Sequence, residues 1–218
     1  MGTTGSLVST GHVAVKGEVM ELPIGQKAHV EDIRGMIGLG EADLELFRKH
    51  REFFQRHGGA LIDFIAGVVS GHPESARVFE EGRGDLESLK RRLGVWLGEI
   101  LEAHATEQFW TRQLVIGLEH IQRRIPNRQM VGLATRIREV VLKLAIEDLG
   151  VEEGVELYLA FQRMLDSVVA LTTTVVDEGY RRSLLEATGF TWELAERLEA
   201  MTLRSLKAEL TGEDESGR

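Results

Sequence analysis

The sequence predicts an all-α protein with one sizeable core, and three observations carry that expectation. In HVEDIRGMIGLGEADLELFRKHREFFQRHGG, from residue 29, and through most of the remaining chain, apolar residues recur three and four apart, the period of a helix with one buried face. Apolar–polar alternation of the strand kind is scarce. The 218 residues are 43% hydrophobic and 28% charged, enough apolar material to build a core beneath a soluble surface.

The elements are set by their punctuation. Residues 1–25 are rich in Gly, Thr, Ser and Val without a helical period and read as a flexible arm. Gly58–Gly59 is expected to end a first helical stretch. GHPES at 71–75 breaks a second and restarts it as a short piece, because proline opens helices but does not continue them. EEGRGD at 80–85 precedes a long helix beginning near Asp85. Pro126 suits the first turn of the next helix, and LGVEEG at 149–154 marks its far end. A longer helix then runs to about Leu185. TGF at 188–190 introduces a last amphipathic helix with Thr191 as N-cap, and TGEDESGR at 211–218 reads as a disordered tail. The chain thus divides into an arm (1–25), a main domain (26–186), an additional C-terminal helix (187–210) and a tail (211–218).

Composition excludes several function classes. A net charge of −9 without a basic stripe argues against nucleic acid as a partner. With no cysteine there is neither a disulfide framework nor a thiolate metal site, in keeping with a reducing, cytoplasmic setting. No apolar run approaches the ~20 residues that span a bilayer, so no membrane partner is expected. Gly67 with Gly71, and Gly94 with Gly98, each four apart, suggest a close crossing of two helices, since a mid-helix glycine costs about 1 kcal/mol against alanine.

Catalytic motifs are absent: no nucleophile elbow, no phosphate-cradling glycine loop and no HExxH. The residue that raises a question is His120 in IGLEHIQRRIP. Alone, it reads more readily as a core histidine than as a ligand. His50, His57 and His104 are expected on exposed helix or loop positions, His72 in the turn before Pro73, and His12 and His29 near the irregular N-terminal region.

The run SLKRRLGVWLGEILEAHATEQFWTRQLVIGLEHIQRRIPNRQMVGL, with DFIAGVVSGHPESARVF upstream, resembles the globin domain of bacterial globin-coupled sensors and the related protoglobins. The likeness lies in the order of features: a long helix with "LK", a loop, the aromatic pair Phe109–Trp110, then "IGxxH" with a basic run and "IP", after an "HPE" turn. It covers roughly residues 40–180. The resemblance implies a globin fold with an N-terminal extension and an additional C-terminal helix, and haem b as cofactor with iron held by His120. It implies that Ile116 walls the porphyrin, that Gly117 lets it approach, and that Phe64, Ile65, Phe79, Leu89 and Leu93 supply apolar lining. Where many relatives carry a tyrosine that donates a hydrogen bond to the bound gas, this chain has Ala66, or Gly67 if the register slips by one. Arg92, on the long distal helix, reads as a solvated charge beside Arg91, as a donor to the gas or as a partner for a haem propionate.

The function so implied is binding of O2, CO or NO at haem iron for sensing or signalling, with oxygen held poorly for want of the hydroxyl. The alternative is a haem-free globin-like module that transmits stress signals. Enzyme activity, such as nitric oxide dioxygenation, is left open and needs a reductase. Leu157, Phe161, Met164, Leu165, Val168, Val169, Leu171, Val175 and Val176 make more than one apolar stripe on the longest helix, and with VVLKLAI at 140–146 they imply a homodimer joined through two long helices. Trp192, Leu194, Leu198 and Met201 are expected to cap the pocket or extend the dimer.

Overall fold

The structure, a computed structural model, describes residues 27–80, 85–102 and 105–212. The arm, His12, His104, residues 213–218 of the tail and the side chain of Phe79 lie outside the described residues. Nine helices are described: α1 (Lys27–Ile37), α2 (Glu41–Lys49), α3 (Arg51–Gly71), α4 (Pro73–Glu80), α5 (Leu86–Leu101), α6 (Glu107–Gln122), α7 (Asn127–Leu149), α8 (Val151–Thr188) and α9 (Trp192–Thr211). No strand occurs among the described residues.

Helix starts are set locally. The Ser88 amide donates to the Asp85 side chain at 2.8 Å to open α5, and the Leu194 amide donates to Thr191 at 3.3 Å to open α9. Between α7 and α8 the chain reverses at Gly150, whose φ of 86° lies where side chains are disfavoured. One boundary departs from expectation, because Gly58 and Gly59 lie inside α3 rather than ending it. Phe53, Phe54, Leu61 and Ile65 on either side of the pair are buried. At about 1.5–3 kcal/mol per buried side chain, that anchoring outweighs two glycine penalties.

Helix α8 is the axis, with α1, α2, α6 and α7 packed on it, while α3 joins α4, α5 and α7. Phe47 of α2 stacks on Phe54 of α3 at 5.4 Å, and Phe161 of α8 closes the cluster 6.2 Å from Phe54. Asp43 is buried, caps α2 by accepting from the Gly40 amide at 2.9 Å, and takes Arg163 of α8 at 2.6 Å. By length and composition α8 is apolar enough to cross a membrane, yet more than half of its most apolar stretch is buried inside the protein.

Three further expectations are corrected. No carbon added at Gly67, Gly71 or Gly98 would meet a neighbour within 4 Å, so the glycine pairs make no tight crossing. Close approaches occur instead at Gly117, Gly154 and Gly179. Except for half-buried Val169, the α8 residues expected to leave a stripe for a partner are buried within this one chain. His50 is buried between α2 and α3, with Nε2 3.4 Å from a Glu153 oxygen, rather than exposed.

Candidate functional site

Helix α6 is fixed at both ends. At its start Thr106 accepts from the Phe109 amide at 3.2 Å, and the Trp110 indole donates to the Ala105 carbonyl at 2.9 Å. In its middle, fully buried Gln113 accepts from the Trp96 indole of α5 at 3.1 Å. At its end the Ile125 amide donates to the His120 carbonyl and the Arg124 amide to the Ile121 carbonyl, both at 2.9 Å. That pair of bonds is a Schellman turn, and Arg124 fills its left-handed position with φ 57° where glycine is usual. The backbone of His120 is thereby tied to the turn beyond it.

His120 lines a cavity of about 810 Å³ enclosed by α3, α4, α5, α6, α7 and α8. Its Nδ1 is buried with no hydrogen-bond partner among the described residues. Burial lowers its pKa to about 4; Glu119 partly opposes this and Arg123 adds to it, so the ring is neutral at ordinary pH. A buried ring nitrogen without a partner costs about 1–3 kcal/mol. Among the described residues no three His, Asp or Glu side chains gather as a metal-holding group. A lone neutral imidazole on a mostly apolar cavity within the size range of cofactor sites therefore suits a metal that brings its other ligands with it, as haem iron does.

Of the ten residues expected at the site, six line this cavity: Ile65, Leu89, Arg92, Leu93, Ile116 and His120. Three do not. Phe64 is half-buried beneath the Arg136 guanidinium, 5.9 Å from its ring centre. Ala66 is buried away from the lining. Gly117 faces α8, where an added carbon would stand 3.1 Å from the Thr172 carbonyl oxygen and 3.2 Å from Val175. Its bare backbone admits a helix, not a macrocycle. Phe79 lies outside the described side chains.

The register on α3 matters for the ligand side. Neither Ala66 nor Gly67 lines the cavity; Ile65, Val68 and Val69 do. None of the three carries a hydroxyl, so the missing donor holds in every register. Sequence reasoning overlooked Val68, Val69 and Trp96, although spacing three and four from Ile65, Arg92 and Leu93 signals them.

The mouth is polar. Exposed Glu74 of α4 accepts from Arg128 with both oxygens at 2.8 Å and from Gln129 at 2.8 Å, and Ser75 donates to Gln129 at 2.9 Å. Hydrogen bonds from Gln129 and Arg128 hold the Glu74 carboxyl below its usual pKa. These contacts fasten α4 to the first turn of α7 beside the cavity. Helix α9 contributes nothing to the lining and buries none of its residues, which removes its expected role as a cap.

The fold is similar to a solved structure, the globin domain of the Geobacter sulfurreducens globin-coupled sensor, with a TM-score of 0.61 at 17% identity, over 66% of this chain and 95% of that one. No curated protein sequence matches. The family model for Protoglobin matches residues 26–182, and the chain belongs to that family.

Proposed function

We propose that this protein is a gas-binding sensor globin holding haem b in the cavity through His120. The observation that carries the reading is the neutral imidazole of His120 on the wall of a mostly apolar cavity. Haem, when bound, supplies iron with one face open to O2, CO or NO. The chain supplies the rest. His120 offers an unprotonated nitrogen, Ile116 and Leu93 exclude water from the ring, and the Schellman turn holds the histidine's backbone. Purified protein is expected to show a Soret band that His120→Ala abolishes. Colourless protein that takes up no added hemin would instead favour the haem-free signalling module.

The apolar ligand side of Ile65, Val69 and Leu89 supports easy binding of CO or NO and weak retention of O2, because no α3 side chain on the cavity donates to a developing negative charge. Slow oxygen release from the ferrous protein, of the kind a tyrosine donor produces, would contradict this. The cysteine-free composition supports a cytoplasmic setting, and the main domain is assigned to residues 26–186. Exposed Val131 on α7 and Leu159, Tyr180 and Leu184 on α8 support a homodimer through these two helices. A monomer by light scattering at micromolar concentration would overturn that part.

A further inference from the structure

We propose that Arg92 is the carboxylate anchor of the cavity, its guanidinium at the mouth taking an acid side arm of the porphyrin. The inference rests on the function proposed above. Four arginines line the cavity: Arg92, Arg123, Arg128 and Arg136. Three already have a carboxylate. Arg128 pairs with Glu74 at 2.8 Å, Arg136 lies 3.7 Å from Glu139, and Arg123 lies 4.0 Å from Glu119. Arg92 has no acidic partner among the described residues.

Its position selects its ligand. Arg92 lines the cavity while remaining exposed, so it stands where the cavity meets water. A guanidinium deep in an apolar cavity sheds its hydration and is left unpaired at heavy cost; at the mouth it stays hydrated until an anion arrives. Leu89, Leu93 and Trp96 line the cavity from the same helix, so α5 presents an apolar strip beside one cation. That strip fits a flat apolar body with a carboxylate edge, which the planar guanidinium fork grips in two-pronged fashion. Arg91 precedes it and does not line the cavity. The same placement assigns Arg92 to the acid edge of the ring rather than to a gas inside the pocket.

The test compares hemin with hemin dimethyl ester, which lacks the free acids, in the full chain by absorbance titration and by quenching of tryptophan fluorescence. The unaltered protein is expected to prefer the diacid about tenfold, the equivalent of one charge-assisted hydrogen bond. Arg92→Leu abolishes most of that preference and leaves diester affinity unchanged, Arg92→Lys keeps part of it, and Arg91→Leu keeps all of it. Full preference in Arg92→Leu overturns the inference, as does an equal loss for both ligands, which marks a merely structural role. Failure of the unaltered protein to bind either porphyrin overturns the haem reading itself, and the anchor with it.

Discussion

The two sides of the cavity are packed by different rules. On the histidine side, α6 and α8 approach so closely that a carbon at Gly117 would press on the Thr172 carbonyl, and at the base of the α7–α8 hairpin one at Gly154 would stand 2.6 Å from the Ala145 carbonyl oxygen. On the opposite side, α3 and α5 carry Gly67, Gly71 and Gly98 with open space around each, and Gly94 makes only an ordinary 3.6 Å approach to Ile62. A glycine on the first side is a steric requirement. One on the second is a local weakness that nothing in the packing uses. The imidazole proposed to hold iron is thus mounted on the closely packed wall, whereas the wall expected to meet a gas is apolar and less constrained.

This contrast can be broken by experiment, and the largest effect belongs to the hairpin. Gly154→Ala sets a side chain against backbone that cannot rotate away, and a loss of about 3 kcal/mol or more is expected in urea unfolding. A loss under about 1 kcal/mol would mean that the seam is not tight.

Acid should act next, through His120. Its pKa falls from 6.5 unfolded to about 4 folded, so the unfolded chain binds the proton first. This contribution to stability is complete above pH 6.5 and is lost as pH falls toward 4. By pH 5 the haem-free protein should lose about 2 kcal/mol relative to pH 7 that His120→Gln does not lose. Matching pH profiles for the two proteins would show that the imidazole is not sealed from water.

Smaller changes separate the walls directly. Gly117→Ala, at 3.1–3.2 Å from its neighbours, should cost about 1–2 kcal/mol and lower the melting temperature. Gly67→Ala, with nothing nearby, should raise stability by about 0.5–1 kcal/mol because it narrows the unfolded ensemble without a clash. Should both substitutions shift the melting temperature alike, the contrast between the walls fails.

Much of the architecture was legible because its signals are local. Asp85 and Thr191 announce helix starts by their side-chain oxygens, Pro73 and Pro126 announce breaks, and Gly150 marks the reversal between the two longest helices. The glycines misled in both directions. Gly58–Gly59 reads as a stop but is carried through by buried Phe53, Phe54, Leu61 and Ile65, and the spaced pairs read as a crossing that α3 and α5 do not make. At the site, Ile116 and Leu93 were readable from helical spacing around His120 and along α5, together with the family likeness. Gly117 was misassigned because closeness in sequence to His120 says nothing about which way a residue faces; each step along a helix rotates the side chain by about 100°, and the accumulated turn points Gly117 at α8.

What the sequence determined by itself is therefore the set of helices, the turns between them and the family-marked position of His120, all products of side-chain chemistry acting over a few residues. Which wall is tight, and, among the described residues, which ring nitrogen lacks a partner and which of four cavity arginines is left without a carboxylate, were decided only by tertiary structure. Those properties depend on the rotation of each helix about its axis, set by the packing of faces from distant parts of the chain and invisible to any local pattern.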